Sequence, residues 1–238
     1  MGLIYFIRHA QAGARDNYDI LSDLGQKQAR LLGKFLATED VRFSAVYSGA
    51  MRRQRLSAEL ACSALSWSGL DVPDIQTDER WNEFSLASVY AWAGPILLKA
   101  NSEFAADFKE MQEALRQDPH TTRGATGRCD RAVMRAWIRE EYEGFEGESW
   151  EAFSTRIRSC SAALLEQNHK EAVAVFTSAT PIVILTGAAL GLSDEKLLSL
   201  AGVLQNSSIT IMRVQDGGLR LFSFNGVAYL PVGLRTFR

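Results

Sequence analysis

The chain has 238 residues, 47% of them hydrophobic and 23% charged, and a formal net charge of −2. That length fits one large α/β domain, or a core domain with an inserted cap, and can bury a sizeable core without crosslinks. The near-neutral balance argues against a nucleic-acid surface or a polybasic membrane patch, so any anion site must be local. The segment LIYFI (3–7) is a short continuous apolar run, as expected of a strand buried on both faces. SDLGQKQARLLGKFLA (22–37) carries Leu24, Gln28, Leu31, Leu32, Phe35 and Leu36 at helical spacing, with Ser22 as N-cap. FSAVYS (43–48) reads as a second strand, MRRQRLSAELACSAL (51–65) as a helix, and DIQTD (74–78) as a short third strand.

The stretch 85–145 differs. It holds two helix-like pieces, near 88–117 and 130–143, joined by a loop rich in Thr, Gly and Arg, and reads as a helical insertion at about 85–146. ESWEAFSTRIRSCSAALLEQ (148–167) places Trp150, Phe153, Ile157, Cys160 and Leu164 on one helical face. A strand at 173–177 leads into a helix at 181–190, for which Thr180 would be the N-cap and Pro181 the first helical residue. SSITIMRV and LRLFSF read as two late strands joined at Gly217-Gly218. Alternating strands and helices predict a mostly parallel sheet with helices on both faces, and ligands bind such sheets at the carboxyl ends of the strands. The tips after Ile7, Tyr47 and Phe176 are the candidates.

Cys62, Cys129 and Cys160 are odd in number and widely spaced, with no CxxC pair, which argues against a disulfide framework or a zinc site and suits a reducing cytosol. The N-terminus lacks the pattern of a signal peptide, and Phe6 stands where a myristoylation signal needs Ser or Thr. No apolar run approaches the ~20 residues of a membrane span. The expectation is a soluble cytoplasmic protein that needs neither nucleic acid nor membrane.

Arg8-His9 follows the first strand, Ser48, Arg52, Arg53 and Arg55 follow the second, and Glu83 follows DIQTDERWN. Arginines at strand tips supply bidentate donors to phosphoryl oxygens, a neutral imidazole can attack phosphorus, and a carboxylic acid can protonate the departing oxygen. For Arg8-His9 alone, a strand-end salt bridge is the plain alternative. Glu79 and Asp78 compete with Glu83, and Arg53 and Arg55 read as a solvated helix face.

These segments resemble the histidine phosphatase superfamily, the phosphoglycerate-mutase-like proteins. RHAQAG resembles that family's Arg-His-Gly motif, with Ala10 for the glycine. LSDLGQKQA (21–29) resembles the segment leading into its first helix, and SGAMRR (48–53) its Ser-Pro-Leu-x-Arg-Ala segment. ERWNEF (79–84) resembles the segment carrying the proton donor, GESWEAF (147–153) the Gly-Glu-Ser stretch, and FNGVAYL (224–230) the closing Asn-x-x-x-His-Leu, with Tyr229 for the histidine. The resemblance implies a three-layer α/β sandwich with a helical cap, forming a single domain over 1–238. It implies His9 as nucleophile, Arg8 and Arg52 as phosphate ligands and Glu83 as proton donor, with no metal and no cofactor. The substrate would be a small-molecule or protein phosphomonoester.

One position departs. The family's Ser-His-Gly at the later strand tip falls on Thr177, Ser178 and Ala179, so Ser178 stands where a second phosphate-contacting histidine is expected. The remaining histidines, His120 and His169, lie in the cap loop and before the strand. Ser178 is read either as a weaker third phosphate contact or as a capping or packing residue. Arg53 or Arg55 could restore the lost charge, and backbone N–H groups at the helix start could face the anion. The leading function is a phosphatase working through a phosphohistidine. The alternatives are a non-catalytic phospho-ligand binding protein and, less favoured, a phosphoglycerate mutase.

Overall fold

The computed structural model describes residues 2–167 and 171–237. Its centre is a six-stranded sheet in the order β3-β2-β4-β1-β5-β6. The strands are β1 (Leu3–Arg8), β2 (Phe43–Ser48), β3 (Ile75–Thr77), β4 (Ala172–Thr177), β5 (Ile209–Gln215) and β6 (Gly218–Gly226). The first four run parallel, and β5 and β6 add an antiparallel edge beside β1. The helices are α1 (Asp23–Thr38), α2 (Arg52–Trp67), α3 (Leu86–Ala100), α4 (Ser102–Gln117), α5 (Ala125–Ile138), α6 (Trp150–Leu165), α7 (Ala179–Leu190) and α8 (Asp194–Ala201).

Alternation along the central strands divides the core. Ile7, Val46, Ala174 and Phe176 pack with Leu32, Leu36, Ala58 and Ala61 of α1 and α2. Phe6, Tyr47, Val173 and Val175 face the other way, toward α6, α7 and the helices following β3. This is the expected three-layer arrangement, and burial on both faces explains why β1 and β4 read as continuous apolar runs. The Ser22 side chain caps α1 by accepting from the Gly25 N–H at 3.0 Å. α1 and α2 approach closely because Gly33 carries no side chain: a Cβ there would lie 2.1 Å from the Ala61 carbonyl oxygen.

Four sequence expectations need correction. The insertion holds three helices: Asn101 is extended (φ −134°, ψ 106°), and its Oδ1 accepts from the Phe104 N–H at 3.0 Å, so it stops α3 and caps α4. The helix after β4 begins at Ala179 with Ser178 as N-cap, two residues before Pro181, and the Ser178 side chain makes no capping bond. Helix α8 has no counterpart in the sequence reading; it is an eight-residue amphipathic helix between α7 and β5. The β5–β6 turn is Asp216-Gly217, both with positive φ (53° and 75°), while Gly218 already belongs to β6. Among the described residues no helix is long and apolar enough to cross a membrane, and no group of three or more His, Cys, Asp or Glu could hold a metal ion.

Candidate active site

Parallel pairing brings the three strand tips side by side. Ile7 pairs with Phe176 and Arg8 with Thr177, while Ser48 pairs with Phe176 from the other side. Past the end of β1, the His9 N–H continues the ladder to the Thr177 carbonyl at 2.8 Å. His9 is buried, and its Nδ1 lies 2.8 Å from the Ala10 carbonyl oxygen. A carbonyl only accepts, so Nδ1 carries the proton and Nε2 keeps its lone pair. That lone pair accepts from Arg53 Nε at 3.3 Å. Burial, then the Arg53 and Arg8 charges, hold the imidazole pKa well below its usual value. His9 is therefore a buried, neutral base with one nitrogen directed at an arginine.

Two guanidinium groups define the cationic end of the site. Arg8 is 5% exposed; its Nη1 donates to the Leu204 carbonyl and, at 3.2 Å, to the Phe237 carbonyl. Its Nε has no hydrogen-bond partner among the described residues. Burial lowers its pKa, and the neighbouring Tyr18 hydroxyl and Glu83 carboxylate oppose that. Arg53, also 5% exposed, donates from Nη1 to Asp19 at 2.9 Å and lies over the Tyr18 ring, 4.8 Å from its centroid.

Glu83 completes the group. One carboxylate oxygen accepts from the Thr180 N–H at 3.1 Å, the other from the Phe84 N–H at 3.3 Å. Burial raises its pKa, against the lowering effect of those bonds and of Arg53. Arg8, Arg53 and Glu83 line one end of a cavity of 960 Å³. His9 lies directly behind Arg53.

Arg52, expected as a phosphate ligand, lies apart from this group. Its side chain is exposed and does not line the cavity, and its backbone N–H reaches Asp19 at 3.2 Å. Arg53, read from sequence as solvated, takes the inward place because it heads the buried stripe Arg53, Ser57, Ala61, Leu65 of α2, four residues apart. Counting that period back from Ala61 and Leu65 was the available signal.

Ser178 is buried, and its Oγ accepts from Gln54 Nε2 at 2.8 Å, while Gln54 also donates to the Trp81 carbonyl at 3.3 Å. It does not line the cavity. The Thr180 N–H at the start of α7 is engaged by Glu83 rather than held open. His120 lies outside the site, its Nδ1 buried without a partner among the described residues. His169 lies outside the described residues. Tyr229 stacks on Phe35 at 4.9 Å and donates to the Ser207 carbonyl at 2.6 Å, which is a packing role.

The family model of the histidine phosphatase superfamily (branch 1) matches residues 4–136 and 108–226, and the chain belongs to that superfamily. Its fold is that of several solved structures. YhfR of Bacillus stearothermophilus aligns with a TM-score of 0.66 at 20% identity, over 96% of this chain and 99% of that one. An Entamoeba histolytica phosphoserine phosphatase mutant in complex with phosphoserine aligns at 0.63 and 17% identity, over 97% and 100%. A phosphoglycerate mutase from Bacillus anthracis aligns at 0.59 and 20% identity, over 96% and 94%. No curated protein sequence matches the chain.

Proposed function

We propose that the protein is a phosphomonoester phosphatase working through a phosphohistidine at His9. The observation that carries this reading is the state of His9: neutral, with Nδ1–H tied to a carbonyl and an unprotonated Nε2 that accepts from Arg53, beside two buried arginines and an acid of raised pKa. Arg53 moves from Nε2 to the non-bridging phosphoryl oxygens as substrate enters, uncovering the lone pair. Arg8, which lines the same cavity, donates to the same oxygens. Nε2 attacks phosphorus as the P–O bond to the alcohol breaks, and protonated Glu83 gives its proton to the departing oxygen. The Glu83 carboxylate then takes a proton from water as that water displaces phosphate from His9. Arg53 assumes the role expected of Arg52, and α3–α5 form the cap that shapes the leaving-group side.

Hydrolysis of 1-naphthyl phosphate across pH tests the reading. Turnover that disappears in His9→Ala, with the variant folded, supports it; equal turnover in His9→Ala sinks it.

One observation favours a second reading, a phospho-ligand binding protein without turnover. Ser178 is turned to Gln54, so the second-histidine position contributes neither charge nor donor to the cavity. Removing a pre-organised donor costs ~10²–10³ in rate in measured cases, which slows a phosphatase without abolishing it. Saturable phosphate binding with no hydrolysis of any phosphomonoester would decide for the binder.

A further inference from the structure

Helix α3 is apolar nearly all the way round: of its fifteen residues only Lys99 is charged. A helix of that kind is normally buried. One side of α3 is indeed covered, through Val89, Ala93 and Leu97, but Ala87, Ala91, Pro95 and Leu98 form an exposed stripe along another. All four line the same cavity as Arg8 and Arg53. Phe108 of α4 and Met134 of α5 contribute further apolar wall. Arg15, Tyr90 and Asp130 in this wall satisfy one another. Asp130 accepts from the Tyr90 hydroxyl at 2.5 Å and from Arg15 at 2.6 Å, and Arg15 lies over the Tyr90 ring. Arg131 is exposed and solvated. The cavity thus joins Arg8 and Arg53 to a predominantly apolar wall, interrupted by the paired Arg15 and Asp130 and by Arg131, at a volume that suits a sizeable organic group.

We propose that this cavity takes a phosphomonoester whose alcohol portion is a long alkyl chain or a fused-ring aryl group, laid along the α3 stripe with its phosphoryl group on Arg8 and Arg53. Its hydrolysis rests on the phosphatase reading; its binding needs only the cationic end and the apolar wall.

Calorimetric titration of the intact protein with decylphosphonate, methylphosphonate and decyltrimethylammonium, each below its micelle concentration, tests this. Each buried methylene adds roughly fourfold in affinity, so decylphosphonate is expected to bind at least ~30-fold tighter than methylphosphonate. Decyltrimethylammonium, with the same chain and the opposite charge, is expected to bind at least ~10-fold weaker than decylphosphonate if the two ends form one site. Ala91→Asp and, separately, Leu98→Lys place a charge on the stripe at exposed positions and should cut the decyl-to-methyl ratio at least ~10-fold. Equal affinities for the two phosphonates, equal binding of the two decyl ions, or an unchanged ratio in both variants would overturn the proposal. Preferential binding of decylphosphonate with no turnover of decyl phosphate keeps this inference and removes the phosphatase reading. Phosphoserine hydrolysed as efficiently as decyl phosphate keeps the phosphatase and removes the inference.

Discussion

Arg52 and Arg53 are neighbours in sequence and opposites in place: one is solvated, the other is buried against His9. Arg53→Ala is therefore expected to lower kcat/KM by ~10²–10³, the cost of losing a pre-organised charge-stabilising donor. Arg52→Ala should change kcat/KM by less than ~3-fold, as expected of an exposed side chain without a site contact. Steady-state kinetics on both variants checks the assignment. Resemblance at SGAMRR pointed to Arg52, whereas the arginine that faces the cavity is Arg53, because a motif match counts along the chain whereas burial follows the helical period. His9 could be read as a candidate since its strand and its neighbour Arg8 are adjacent in sequence. Glu83 could be read only as one of three candidate acids; its placement depends on Thr180, which lies in a distant segment.

The Glu83 and His9 shifts also fix a pH profile. In the proposed mechanism His9 must be neutral, so turnover is expected to rise as pH climbs through its lowered pKa, and Glu83 must be protonated, so turnover is expected to fall as pH passes its raised pKa. Glu83→Gln should lose ~10²–10⁴ in kcat and flatten the alkaline limb, which a pH–rate profile of the variant reads directly.

At the scale of elements, the site depends on how α1 and α2 hold the β1 and β2 tips. Ser57 Oγ accepts from the Ala10 N–H at 2.9 Å, so α2 fixes the loop that follows His9. The α1–α2 contact that sets this distance closes over Gly33. Gly33→Ala forces a methyl group against backbone and is expected to cost ~1–3 kcal/mol, measured by urea denaturation. Strands and α1 were readable because period and capping agreed there. The α3–α4 break was not, since a single extended residue, Asn101, separates the two helices, while the stronger breakers Gly94-Pro95 lie inside α3. The cavity itself was beyond reading, because it is made by α3, α4, α5 and α8 converging from separate stretches.

Across the whole molecule, the last segment ties the cationic end together. Gln28, fully buried in α1, accepts from the Gln11 N–H at 2.8 Å and donates to the Leu234 carbonyl and Thr236 hydroxyl at 2.7 and 2.9 Å. The neighbouring Phe237 carbonyl holds Arg8. Gln28→Ala leaves the Gln11 N–H and the Leu234 carbonyl unpaired, at ~1–3 kcal/mol each, and is expected to weaken phosphate binding as Arg8 loosens. Denaturation and phosphate titration of the same variant read both effects, and a loss of stability without loss of phosphate affinity would separate the segment from the site.

The central claim is that His9 becomes phosphorylated in turnover. The most direct measurement is rapid alkaline quenching of the protein during hydrolysis of 1-naphthyl or decyl phosphate, followed by peptide mass spectrometry. An acid-labile phosphoryl group is expected on the His9 peptide and none on that of His9→Ala. Hydrolysis that proceeds with a phosphoryl group on another residue, or that survives in His9→Ala, would contradict it.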